Sequence, residues 1–392
     1  MSTTMERRTV EQPGSTTLFF GPWYRRSPFF EATLRHGCTA YDVYNHMLLP
    51  ARYREPVEEY WHLLQHVTIW DVAVERIVEI QGPDAFTFTN QLTCRDLRTC
   101  AVGQGKYAPI IDEQGGIIND PVLLRLGENH FWLALADSDV LLWAKGVALH
   151  SGLRVDLKEP DVSPIQVQGP DSKAVMAALF GERVMALKYY FCLETALDGI
   201  PVVVSRTGWT AEVGYEIYLR DGSQGDALWE RVMAAGRPYD IWPIAPSEPR
   251  RIEAGIFNYG SDMRLEHNPF EVSGLERLVE LEAPDEFIGR SALTRIRAEG
   301  VTRKLVGVEI SGDSTVAELT TFWPVELDGR RVGQVTDAVY SPRLARNIGY
   351  AWVPIAQAAP GTRLQARAPR GMLELTVASL PFLDPKKKVP AQ

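Results

Sequence analysis

Asp120 stands in Ile117-Ile118-Asn119-Asp120-Pro121, a carboxylate between two apolar runs. Pro121 lacks a backbone donor and fixes the direction of the chain there. Two readings are open: a turn aspartate capping its own backbone, or a partly buried carboxylate presented to a ligand amine. Ser205-Arg206-Thr207-Gly208-Trp209, followed by Gly214-Tyr215-Glu216-Ile217-Tyr218, predicts a tight hairpin with Glu216 and Tyr218 on one face of its second strand. A glutamate among apolar neighbours needs a partner, and a cross-strand ion pair competes evenly with a ligand. Ser247 to Gly255 carries a candidate cap, a first-turn proline and an arginine pair near Glu253, the pattern of a short self-paired helix. Arg251 could equally bind a ligand anion. Between Phe29 and Met47, the rings of Phe29, Phe30, Tyr41 and Tyr44 lie near His46. Aromatic faces attract onium cations, although aromatics more often build core.

Other chemistries lack their parts. His62 and His66 are spaced i, i+4 on a helical pattern, but the glutamate of the zinc-protease motif is missing, which predicts a helix surface rather than a metal site. Cys38, Cys94, Cys100 and Cys192 have no C-x-x-C spacing and read as reduced thiols. No phosphate-cradling glycine loop, nucleophile elbow or dinucleotide fingerprint occurs, so hydrolase and dehydrogenase chemistry is not expected. The net charge of -9, with scattered positive residues, argues against a nucleic-acid partner. No long apolar run and no signal-peptide core are present, so neither a membrane nor export is indicated and the cytoplasm is expected.

The elements that would hold these residues are readable in outline. At 392 residues the chain fits two or three domains. Pro56, Val57, Tyr60, Trp61 and Leu64 predict a helix over 56–66. Val74, Val78 and Ile80 predict a strand ending at Gln81-Gly82-Pro83-Asp84, where a helix opens. The same four residue types return at Gln168-Gly169-Pro170-Asp171, from internal pseudosymmetry or from recurring turn chemistry. Tyr107 to Ile111, a glycine turn at 112–116 and Ile117-Ile118 predict a hairpin, with a further strand over 122–126. Ala136 to Asp139 predicts a cap for a helix over 140–149. A helical connector over 291–303 leads to short strands at 305–310, 325–327, 332–335, 348–353 and 373–377, a small all-β domain. The final Asp384-Pro385-Lys386-Lys387-Lys388 reads as a solvated tail. Mixed antiparallel strands and helices make the fold class α+β.

Several motifs fall in one order: Gly105-Lys106-Tyr107, Glu113-Gln-Gly-Gly116, Arg206-Thr-Gly-Trp209 with Gly214-Tyr-Glu-Ile217, Arg251-Ile-Glu-Ala-Gly255, Phe287-Ile-Gly-Arg290, and Val335-Thr336 with Ser341-Pro342. Together, over about 40–382, they resemble the glycine-cleavage T-protein (aminomethyltransferase) family. Val43 to Pro50, Ile69 to Ala73, Asn119 to Val122 and Ala136 to Asp139 are similar to the dimethylsulfoniopropionate demethylases of that family. The resemblance implies a three-domain fold with folate in a central opening and a C-terminal β-barrel. It divides the chain into an N-terminal extension (1–40), two folate-binding domains (41–160 and 161–290), a connector (291–303), the barrel (304–385) and a tail (386–392).

It further implies tetrahydrofolate as cofactor and a small-molecule methyl donor as partner. Asp120 matches the family's essential aspartate and Glu216 its pterin-binding glutamate. Tyr107, Trp209 and Arg251 match folate-side residues, and Tyr44, Trp209 and Tyr218 match donor-side residues. The implied reaction moves a methyl group from dimethylsulfoniopropionate, or a similar onium compound, to N5 of tetrahydrofolate. The alternatives are aminomethyl transfer in glycine cleavage and a non-catalytic folate-binding regulator. T proteins carry Thr-Gly-Glu-Asp where this chain has Thr210-Ala211-Glu212-Val213, and their Trp-x-Met-Pro segment is replaced by Tyr44 to Pro50. Both departures favour methyl over aminomethyl. Asp285 to Arg290 also lacks the Lys-Gly-Cys-Tyr signature of the iron–sulfur assembly relatives. The oligomeric state, a homodimer among the options, is not set by the sequence.

Overall fold

The computed structural model describes residues 21–313, 319, 321–369 and 371–392. The two Gln-Gly-Pro-Asp phrases are the same turn. Strand Ile77–Gln81 runs through the first into helix Ala85–Leu92, and strand Ser163–Gln168 through the second into helix Ser172–Phe180. Gly82 and Gly169 have φ of +125° and +116°, a region that side chains with a Cβ rarely adopt. A Cβ on Gly169 would also sit 2.3 Å from the His66 carbonyl oxygen. Gly169→Ala is therefore expected to cost about 2 kcal/mol or more of stability. Thermal denaturation checks this, and an unchanged midpoint would refute the strain.

Two sheets position the site. One is antiparallel, with strands in the order Asp156–Lys158, Ile77–Gln81, His130–Ala134, Val122–Gly127, Gln104–Tyr107. The other runs Cys192–Leu197, Ile200–Ser205, Gly214–Leu219, Ser163–Gln168, Thr68–Asp71, Trp242–Pro243, the last pair being parallel. One face of this second sheet packs Ile69, Ile165, Val167, Val204, Tyr215 and Ile217 against Trp229 of helix Gly225–Gly236. Its other face sets Val203 and Tyr218 against Ile77, Leu124 and Trp132 of the first sheet. Apolar burial of this kind stabilises by roughly 25 cal/mol per Å².

These layers revise the expected divisions. Phe29 and Ala32, placed in the N-terminal extension by the sequence, are fully buried in the core beside Trp229. Strand Thr68–Asp71, within 41–160, belongs to the sheet built mainly by 161–290. The link between Ile200–Ser205 and Gly214–Leu219 is the eight-position loop 206–213 rather than a tight turn. Neither Asp139 nor Ser247 caps its helix with its side chain.

Helix Arg290–Glu299 leads into a closed barrel in the order Arg303–Ile310, Arg346–Pro354, Arg330–Ser341, Trp323–Leu327, Arg363–Ala368, Gly371–Ala378. Closure removes exposed strand edges. Arg363–Ala368 escapes sequence reading because its inward side chains are Leu364, Ala366 and Ala368, a weak apolar signal between polar residues. In the tail expected to be solvated, Pro385, Lys386 and Lys388 are exposed, and the chain beyond them docks. Arg206 donates to the Pro390 carbonyl at 3.3 Å and Lys173 to the Gln392 carbonyl at 2.5 Å, because these donors face the returning chain. Among the described residues, no helix is long and apolar enough to cross a membrane, and all four cysteines are free and buried.

Candidate functional site

Asp120 leaves the end of strand Ile117–Asn119. The buried Asn119 side chain fixes this turn: it donates to the Ala136 carbonyl at 3.0 Å and to Ser138 Oγ at 2.7 Å, and accepts from the Ala136 N–H. Tyr107, at the end of Gln104–Tyr107 and paired with Val122, donates its hydroxyl to Asp120 Oδ2 at 2.6 Å. Asp120 Oδ1 is buried and has no partner among the described residues. Burial pushes the Asp120 carboxyl up to about 7, with the Tyr107 hydrogen bond and then its own backbone N–H opposing it and the charge of Asp262 adding to it.

Glu216 lies on the strand Gly214–Leu219 opposite Gln166 on one side and Ser205 on the other. Its Oε2 accepts from the Thr207 hydroxyl and, at 2.8 Å, from Tyr218. Its Oε1 accepts from Gln166 Nε2 at 2.8 Å. The cross-strand ion pair is absent: no described cation reaches Glu216, and neutral donors hold it instead. The same Gln166 amide lies 3.4 Å from Glu75 Oε1, so one neutral donor serves two carboxylates. Burial raises the pKa of both acids, and for Glu75 the charge of Glu216 adds to it. Gln166 Oε1 is itself buried without a partner among the described residues.

Asp120 and the Glu75–Glu216 pair share one electrostatic surrounding. The Tyr44 hydroxyl is raised first by burial and then by Asp120, with Glu75 also contributing. It donates to Asn258 Oδ1 at 3.0 Å and accepts from the Asp137 N–H at 3.1 Å. Tyr107 feels Asp120 and Tyr190, and Tyr190 feels Glu216. Tyr44, Tyr107 and Tyr190 thus link Asp120 electrostatically to the Glu75–Glu216 pair, with Tyr218 bonded to Glu216. Sequence reasoning missed Glu75, Gln166, Thr207 and Tyr190. Among these, Gln166 gave a signal, as a polar residue inside the wholly buried strand Ser163–Gln168.

Arg251 is placed differently from one of its two readings. Fully buried, it donates to Glu248 at 2.7 Å and to Asp262 at 3.0 Å, and it also pairs with Asp337. Three carboxylates and the Ile256 carbonyl take its donors, so Arg251 is committed to partners within the protein. Its guanidinium lies 5.3 Å from the Trp209 ring and 5.9 Å from that of Tyr350. Trp209 itself is half-buried against Leu63, Trp70, Val72 and Ile244. Arg250 pairs with Glu212 at 2.7 Å, which occupies the acid of the departing Thr210-Ala211-Glu212-Val213 segment. His62 is buried rather than on a helix surface, stacked 3.7 Å from Trp242. With His66 and Asp240 it forms the one grouping among the described residues that could hold a metal ion.

The description "GCVT N-terminal domain" matches residues 29–283, and "Glycine cleavage T-protein C-terminal barrel domain" matches 303–384. The chain belongs to the glycine-cleavage T-protein family. It is 38% identical over 353 residues to the dimethylsulfoniopropionate demethylase of Ruegeria pomeroyi, covering 90% of this chain and 96% of that one. It is 30% identical over 370 residues to an aminomethyltransferase of Symbiobacterium thermophilum, covering 91% and 97%. The solved aminomethyltransferase T of Bartonella henselae superposes with a TM-score of 0.82 at 23% identity, covering 92% of this chain and 98% of that one. The α+β T-protein fold with a C-terminal barrel, expected from the ordered motifs, is the fold found. This T-protein relative is an enzyme of a one-carbon-transfer family.

Proposed function

We propose that this protein transfers a methyl group from dimethylsulfoniopropionate, or a similar small onium compound, to N5 of tetrahydrofolate in the cytoplasm. The observation that carries this reading is a pair of orphaned buried acceptors, Asp120 Oδ1 beside Tyr107 and Gln166 Oε1 beside Glu216. Such acceptors fit the N–H edge of a pterin. Asp120, Glu216 and Tyr107 would hold that edge, and Trp209 would offer an aromatic face. Arg251 acts at one remove, by fixing Asp262 and the Trp209 wall.

Tetrahydrofolate, when bound, supplies the nucleophile: an N–C bond forms as the C–S bond breaks, giving a neutral thioether and releasing the N5 proton. Asp120 has the affinity to orient or accept that proton, because a carboxyl near 7 titrates at working pH. Tyr107 fixes the carboxylate's orientation through Oδ2. The buried walls keep water away, and alignment supplies the remaining advantage.

Aminomethyl transfer is the second reading, favoured by the 30% identical aminomethyltransferase. The occupied Glu212 counts against it, since Arg250 already holds this acid. Incubating the purified protein with tetrahydrofolate and a panel of sulfonium, quaternary ammonium and methoxy donors separates these readings. Formation of 5-methyltetrahydrofolate from an onium donor is expected. No product from any of them, with methylene transfer from a lipoylated carrier protein, would overturn the proposal.

A further inference from the structure

Glu75 is a half-buried acid with no use in the chemistry above. It follows the turn after Asp71, with its N–H bonded to the Val72 carbonyl at 2.9 Å. The neighbouring cation is committed elsewhere: Arg76 donates to Glu159 at 2.6 Å and lies 3.8 Å from Asp139. Among the described residues no Lys, Arg or His pairs with Glu75, and its carboxylate's one hydrogen bond is the 3.4 Å contact from Gln166. Part of the side chain nevertheless remains accessible, so it borders open space rather than packed core.

Glu216 is in a different position. Thr207, Tyr218 and Gln166 all donate to it, so its charge is already met by fixed neutral dipoles. Around Glu75, the Tyr44 and Tyr218 hydroxyls lie within the reach of its charge, and the Trp132 ring is 6.1 Å from that of Tyr218. An under-solvated carboxylate beside aromatic rings is the setting that a compact organic cation satisfies.

We propose that Glu75 is the counter-charge for the donor's cationic centre, and that it makes the site select onium methyl donors over neutral ones. The assignment rests on the methyl-transfer reading. Two carboxylates meet around one amide, and burial raises both, with the charge of Glu216 adding to it for Glu75, so Glu75 holds a proton more tightly than a solvated glutamate does. A sulfonium or quaternary ammonium carries a permanent charge that no deprotonation removes. On binding it takes the place of that proton, which leaves to solvent. A methoxy compound or thioether offers no such compensation and leaves the proton where it was.

Isothermal titration calorimetry with dimethylsulfoniopropionate, in two buffers of different ionisation enthalpy, reads both affinity and proton release. The parent protein is expected to release about one proton per donor bound near neutral pH. Glu75→Gln is expected to lose that release and bind the donor roughly a hundred-fold more weakly, as when one partner of a buried charge pair is removed. Glu75→Asp, which keeps the charge, is expected to keep the release, and tetrahydrofolate affinity is expected to hold in both variants as the check on folding. Parent-like donor affinity and proton release in Glu75→Gln would overturn the assignment even where the parent makes 5-methyltetrahydrofolate. Glu75-dependent binding and release without methyl transfer would instead sink the methyl-transfer reading and leave the counter-charge standing. Absence of donor binding to the parent would overturn both.

Discussion

Replacing Asp120 with Asn is expected to lower the rate of methyl transfer by roughly 10² to 10³-fold while leaving tetrahydrofolate affinity within a few-fold. Asparagine keeps the size of the side chain, and its oxygen can still accept the Tyr107 hydroxyl now bonded at 2.6 Å. What it loses is the charge and the ability to accept a proton. The parent carboxyl is pushed up to about 7, so its ionised fraction grows as pH rises through neutrality. Transfer measured in a single turnover on folate-loaded enzyme should therefore rise with pH across that range in the parent and be flat in the variant. A near-parental rate with intact folate binding would remove Asp120 from the chemistry.

Arg251→Met is expected to destabilise the protein by about 3 to 5 kcal/mol, the usual result of stranding buried charges. Asp262 and Asp337 would remain enclosed with Glu248 beside them and no guanidinium among them. Asp337 is already pushed up to about 7, with burial outweighing the opposing pull of Arg251. Removing the cation raises these acids further. An acid whose folded-state pKa lies above its unfolded value gives stability at low pH, and this is lost as pH rises toward the folded value. The deficit should consequently be smallest in mildly acidic buffer and largest above neutrality. Urea denaturation at several pH values measures it, and a uniform loss of less than about 1 kcal/mol, the scale of an exposed pair, would refute the buried-cluster account.

How much of this could be read beforehand depended on where each partner sits along the chain. Tyr107 and Asp120 flank one hairpin, and Tyr218 is two positions from Glu216, so local strand geometry already grouped them. Gln166 meets Glu216, 50 positions away on a paired strand, and Glu75, 91 positions away in a turn, and no local pattern reports either contact. Arg251 was ambiguous for the same reason. Of its carboxylates, Glu248 is three positions away, whereas Asp337 is 86 away on a barrel strand. Docking of the last residues was not legible because a lysine run describes its own solvation and says nothing of Arg206 and Lys173, which meet the backbone beyond it.

The strand Thr68–Asp71 also sets an order of events in folding. It pairs on one side with Ser163–Gln168 and on the other with Trp242–Pro243, and Thr68 bonds a carbonyl one hundred positions later. During synthesis its apolar side chains emerge long before either neighbour exists, and the loop-closure cost must be met before the pairing rewards it. Newly made chain therefore passes through an interval with a bare, aggregation-prone strand edge. Expression at lower temperature or with added chaperone should raise the soluble yield, whatever the stability of the finished molecule.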